Sequence, residues 1–258
     1  MSNETHEIES ERPSIPWTGF DVLLFVALWL APLIASIAFA AAATSSAAET
    51  KNYGHPIIQL IEQGKKTPMV FLIVFTAAVI AAPLIEEFLF RMLMQGWLET
   101  KFKQLLIPGA SGVAIVIVSS LFAAIHAKNH VVIDAQALLD GLVASSIFSL
   151  LVFTAGIVYL TQKRNVRVTD YLFGKEPFFR PGFFLGAGYC LLAILCCLAL
   201  NAALTMIFPN TNVSPIPIFF LSLVLGVLYR RTQNLSYCIV FHACLNGISL
   251  TLVWLGVG

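Results

Sequence analysis

The segment Val70 to Ile85, VFLIVFTAAVIAAPLI, places a single polar side chain, Thr76, in sixteen residues. Runs of this kind recur along the chain, and several reach the ~18–20 apolar residues that a bilayer-crossing helix needs. A length of 258 residues would otherwise allow one or two soluble domains. Only 11% of residues are charged and 58% are hydrophobic, with a mean hydropathy of +0.85. Soluble domains carry about 25% charge. The expected fold class is all-α, a polytopic helical bundle in a membrane.

Seven spans are predicted, at 20–43, 68–98, 107–126, 137–160, 182–208, 213–229 and 235–257. The second is longer than a bilayer requires, so it is expected to tilt or protrude. Its end, EEFLFRMLMQGWLETKFK, turns amphipathic and is expected to surface. The chain divides into a polar tail (1–19), a first helix with its loop (20–67) and a core (68–257). The tail and the Ala/Ser/Thr-rich stretch 40–50 read as loop or disorder. The tail lacks the basic start of a secretory signal, and the apolar run behind it is too long for one, so the first helix is expected to stay.

Lysines and arginines set the orientation. Arg12, Lys101, Lys103, Lys163, Arg164, Arg167, Lys175, Arg180, Arg230 and Arg231 fall on one side of the seven-span plan. Only Lys51, Lys65, Lys66 and Lys128 fall on the other. This asymmetry predicts a cytoplasmic N-terminus and an external C-terminus. The chain is thus expected to be an integral, multi-pass protein, in the cytoplasmic membrane if bacterial. Fifteen Lys+Arg against fourteen Asp+Glu leave no basic face for nucleic acid. Cys190, Cys196, Cys197, Cys238 and Cys244 all lie in apolar segments without a CxxC pair, and read as small packing residues.

Ionisable groups at membrane depth are functional candidates, because each costs at least ~2.5–3.5 kcal/mol to insert. Glu86, Glu87 and Arg91 follow the long apolar run. Glu87 and Arg91 are four apart with the acid first, the favourable order for an ion pair. Glu86 points about 100° away. A carboxylate facing an apolar cavity is raised toward working pH and suits a general base. Phe122 and His126 share a helix face, so the ring can buttress the imidazole. His242 and Asn246 share another. Helical rise brings these groups to compatible depths, with His126 fitting least well. Asp140 is a further intramembrane acid.

In these residues the chain resembles the CAAX-prenyl-protease and bacteriocin-processing (CPBP, or Abi) family of intramembrane endopeptidases. That family shows EExxxR, FxxxH and HxxxN/D motifs on successive membrane helices. Here they read Glu86-Glu87-xxx-Arg91, Phe122-xxx-His126 and His242-xxx-Asn246, in that order. The segment LGVLYRRTQNLSYCIVFHACLNG also looks like the family's approach to its third motif. The resemblance covers roughly 70–250. It departs in the 116 residues between His126 and His242, where spans 137–160 and 182–208 look inserted. An even number of extra spans preserves the direction of the last helices. The resemblance implies hydrolysis of a peptide bond within the membrane. It implies that Glu86 and His126 activate water, that His242 and Asn246 stabilise the oxyanion, and that Glu87, Arg91 and Phe122 support them. The implied partners are the lipid bilayer and a peptide or protein substrate, such as a prenylated CAAX protein or a peptide precursor.

Other chemistries fit less of the chain. Glu86, His126 and His242 form a His₂Glu set, so zinc is a possible cofactor, with His130 and Asp134 continuing the stripe; HExxH is absent. Gly109-Ala110-Ser111-Gly112 resembles the rhomboid GxSG, yet no helix after His242 remains to supply the base. Cys244 lies about 200° around the helix from His242. Asp140 lacks the GxGD context of an aspartyl protease. A scaffold, immunity protein or transporter would keep the fold without chemistry, but the complete set of Glu86, His126, His242 and Asn246 favours an enzyme.

Overall fold

The computed structural model describes residues 15–44, 67–125, 135–174 and 215–256, with scattered helical positions between 188 and 207. Every regular element among the described residues is helical. Helix α1 spans Gly19–Thr44 and α2 spans Pro68–Gln104. Helices α3 (Ala110–Ile125) and α4 (Ala135–Lys163) follow, then the short α5 (Val168–Leu172). The last two are α6 (Pro215–Thr232) and α7 (Leu235–Leu255). The all-α membrane bundle is therefore what the chain forms. Three helices are long and apolar enough to cross a membrane: α2, the Leu139–Lys163 stretch of α4, and α7. Shorter apolar helices occur at Gly19–Ala31, Ala110–Ala124 and Leu195–Leu204. The expected span 182–208 lies largely outside the described residues, as do the tail before residue 15 and the 45–66 loop.

Helix α2 starts where its chemistry permits. Thr67 Oγ1 accepts the Val70 N–H at 3.2 Å, and Pro68 sits at the first position, where no N–H is needed. At 37 residues it runs about 55 Å, against a hydrocarbon core of about 30 Å. Both ends of the helix carry exposed residues, Pro68 and Met69 at the start and Lys101 near the finish. Two stretches of α2 are π-helix, Thr76–Ala81 and Phe88–Gln95, with one α-helical stretch, Ala82–Glu87, between them. Such wide turns mark functional sites more often than chance.

The other helices pack around α2. Every residue from Ile85 to Leu93 is buried, so this stretch has no solvent or lipid face. From α1, Phe25 meets Phe88 edge-on at 6.1 Å, and the Trp17 indole just before the helix donates to the Leu93 carbonyl at 3.1 Å. From α4, Phe153 packs on Phe88 at 5.4 Å. There Gly156 is required: a Cβ would lie 2.8 Å from the Phe88 ring. From α6, the Gly226 carbonyl accepts Gln95 Nε2 at 3.1 Å, and a Cβ on Gly226 would lie 2.8 Å from Ile115 of α3. Small residues at such crossings let membrane helices approach closely.

A polar clamp ties α1 to α4 at one end of the bundle. Asp21 is fully buried and accepts from the Thr18 N–H at 2.6 Å and from the Tyr159 hydroxyl at 2.7 Å. Arg164 completes it at 2.8 Å. The Thr18 hydroxyl also donates to the Asp21 carboxylate at 2.9 Å, so that carboxylate holds both polar groups of Thr18 at the start of α1. By its place in the chain Arg164 is one of the loop cations, and Asp21 and Tyr159 carry no motif. Nothing in their local spacing links residues so far apart in the chain.

Candidate active site

The α-helical stretch between the two π segments carries Glu86 and Glu87. Consecutive side chains on a helix diverge by about 100°, and His242 of α7 sits between the two carboxylates. Its Nδ1 lies 2.8 Å from Glu87 Oε1, and its Nε2 lies 3.7 Å from Glu86 Oε2. A carboxylate oxygen can only accept, so Nδ1 carries the hydrogen and donates to Glu87. Nε2 is then the nitrogen turned toward Glu86.

Glu87 Oε2 takes Arg91 Nε at 3.2 Å, as the i,i+4 spacing predicts. The expectation that Glu87 serves Arg91 is incomplete, because its second oxygen belongs to His242. Arg91 extends the chain of contacts, donating from Nη2 to Ser222 Oγ of α6 at 2.6 Å. Its guanidinium lies 5.8 Å from the Phe122 ring centre, within cation–π range. Ser222 was not found from the sequence, since one serine in an apolar helix carries no spacing signal.

Phe122 of α3 packs edge-on against Phe90 at 5.0 Å and against His242 at 5.9 Å. The sequence assigns it to His126 as a buttress; in the fold its ring also supports the imidazole of α7. His126 lies outside the described residues, together with His130 and Asp134. Ile125, the last residue of α3, adjoins it in sequence, so the FxxxH motif begins on the helix that delivers Phe122 to the site.

Asn246, one turn beyond His242, donates from Nδ2 to the Ala78 carbonyl at 2.8 Å. Burial separates the residues into two groups. Glu87 and Arg91 are completely enclosed, whereas Glu86 keeps 7% and His242 5% of their surface.

The alternative residues lie elsewhere. Ser111 is buried in the first turn of α3, eleven residues or about 16 Å along the helix from Phe122. Cys244 is exposed on another face of α7 from His242, and Asp140 is exposed on α4. Among the described residues no three His, Cys, Asp or Glu side chains form a group able to hold a metal ion. A zinc set here would need His126 as its third ligand. His242 could join it only through Nε2, since Nδ1 is bonded to Glu87.

Two adjacent buried carboxylates, an arginine and a histidine are thus enclosed together inside an apolar helical bundle of a membrane protein. The family model for type II CAAX prenyl endopeptidase Rce1-like proteins matches residues 68–166 and 172–248. The match covers well over half of the chain, and the protein belongs to that family of CPBP membrane endopeptidases. It spans α2 to α7 and includes every residue of the three motifs. No curated protein and no solved structure matched the chain.

Proposed function

We propose that this protein is an intramembrane endopeptidase in which Glu86 and His126 activate a water molecule for attack on a peptide carbonyl. The observation that carries this reading is the arrangement around His242. One nitrogen is pinned by Glu87 at 2.8 Å, while the other faces Glu86, the carboxylate with residual access. A pinned imidazole beside a carboxylate in an apolar enclosure sets a hydrogen-bond donor next to a base before any substrate arrives.

In the proposed reaction Glu86 accepts the water proton as the hydroxide oxygen bonds to the carbonyl carbon. Negative charge then gathers on the carbonyl oxygen, where His242 Nε2 and Asn246 act as donors. Because Nδ1 already donates to Glu87, donation from Nε2 requires both ring nitrogens to carry hydrogen. The stabilising form of His242 is therefore the imidazolium. Collapse of the tetrahedral species breaks the C–N bond, and the proton held by Glu86 passes to the departing amine. Glu87, Arg91 and Phe122 hold the pieces in place.

The substrate class is a peptide or protein presented at the membrane, with a prenylated CAAX-type C-terminus as the first candidate from the family description. The test is cleavage of a membrane-presented peptide by purified protein, with Ser111→Ala and Cys244→Ala as comparison variants. Both are expected to cleave at near wild-type rates. Loss of activity on Ser111→Ala, in protein that remains folded, would replace this mechanism with a serine nucleophile.

The proposed orientation has the N-terminus in the cytoplasm and the C-terminus outside. It rests on the ten-to-four distribution of lysine and arginine among the loops. Single cysteines introduced at Ser10 and Gly258 on a cysteine-free background are expected to label from opposite sides. Labelling of both from one side would remove one span from the plan.

A further inference from the structure

The bond between Asn246 and Ala78 has a cause in the sequence five residues further along α2. In an α-helix the Ala78 carbonyl would accept from the Ala82 N–H, but that hydrogen goes to Ala77 because the Thr76–Ala81 stretch is π-helical. The π partner of Ala78 would be residue 83, which is proline and has no N–H. Both intrahelical donors are thus denied to the Ala78 oxygen. Inside a bilayer, water cannot substitute, and an unmade backbone bond is costly. Asn246 Nδ2 supplies the hydrogen from α7 at 2.8 Å.

We infer that Pro83 is a positioning residue for the active site: by withholding a hydrogen from the Ala78 carbonyl, it reserves that oxygen to orient the Asn246 carboxamide. The Asn246 amide nitrogen carries two hydrogens in one plane. With one bound to Ala78, the second is held in a set direction and is the one left for a developing oxyanion. A freely rotating asparagine would have to be ordered during the reaction, whereas a donor fixed beforehand costs no reorganisation. The same bond joins α7 to α2 eight residues, about two turns, before Glu86, and so helps hold α7 against the helix that carries the two glutamates. The catalytic half of this inference rests on the endopeptidase reading; the hydrogen-bond half does not.

The test is a four-protein cycle of wild type, Pro83→Ala, Asn246→Ala and the double variant, all full-length in detergent. Alanine at 83 restores an N–H that can take the Ala78 carbonyl. Asn246→Ala is expected to lower the thermal midpoint of the wild type by about 2–4 °C, the shift for a chain this size that loses one buried bond. In the Pro83→Ala background the same change is expected to leave the midpoint where it was. In kinetics, Asn246→Ala is expected to lose about 10²–10³-fold in kcat. Pro83→Ala is expected to lose up to about 10²-fold, as misplaced groups do, with KM unchanged in both. The double variant is expected to be no worse than Asn246→Ala.

Independent, additive midpoint effects overturn the inference, as does a Pro83→Ala enzyme with wild-type kcat. Should Pro83→Ala fail to fold, asparagine labelled with ¹⁵N in the wild type decides the matter. One side-chain hydrogen of Asn246 is expected to exchange much more slowly than its twin, and equal fast exchange of both overturns the proposal. Full cleavage by a Glu86→Gln protein would remove the endopeptidase reading and the catalytic half with it. The midpoint cycle would still report whether Pro83 reserves the Ala78 carbonyl.

Discussion

Glu86→Gln is expected to reduce cleavage of a defined membrane peptide by about 10²–10⁴-fold, the usual contribution of a positioned acid–base group. Glutamine keeps the size and planarity of the side chain, so the packing of α2 against α7 is preserved. What changes is chemical: the amide cannot take a proton from water. The protein is therefore expected to keep a thermal midpoint close to wild type, because the enclosed partners, Glu87 with Arg91 and His242, are untouched. His126→Ala and His242→Ala are expected to lose activity as well. His242→Ala is expected to lose stability too, because it strips Glu87 of a buried partner. A chelator is expected to leave activity standing if Glu86 and His126 suffice to activate water. Loss that zinc restores would make the same residues metal ligands. Unimpaired turnover by purified Glu86→Gln protein would end the assignment of Glu86 as the base.

Arg91→Ala is expected to be the most destabilising single change in the site. Arg91 is completely buried and contacts Glu87 through Nε, Ser222 through Nη2 and the Phe122 ring through its guanidinium face. Removing it leaves Glu87 enclosed with only His242 to balance its charge, and orphans the Ser222 hydroxyl. Breaking a buried pair from one side typically costs about 3–5 kcal/mol. That is a large share of the 5–15 kcal/mol by which proteins are usually stable. Membrane yield and the thermal midpoint in detergent are both expected to drop. Ser222→Ala, which removes one bond to a charged donor, is expected to cost less, about 1.5–3 kcal/mol. Arg91→Lys is expected to rescue little, because a point ammonium cannot contact Glu87 and Ser222 together as the planar guanidinium does. An Arg91→Ala protein with a wild-type midpoint would show that the pair does not hold the bundle.

The order of residues alone settles that the chain is a helical membrane bundle, because long uncharged runs have no other low-energy solution in lipid. It also determined the start of α2, since Thr67 and Pro68 form a cap from adjacent residues. The bond between Glu87 and Arg91 was legible for the same reason: four residues along one helix fix a distance before any packing occurs. The three motifs pointed to the family that the comparison then established.

Tertiary structure decided which of these groups meet and through which atoms. No local rule gives Glu87 a second partner 155 residues away in His242, or gives Arg91 the hydroxyl of Ser222. The π segments of α2 were likewise invisible, because their wide turns persist where side chains from other parts of the chain take up spare carbonyls. Asn246 does so for Ala78 across 168 residues. Spacing along one helix sets which side chains share its face. How far each helix rotates about its own axis is set by ring contacts such as Phe88 on Gly156 and Phe122 on Phe90, which exist only once the helices are packed.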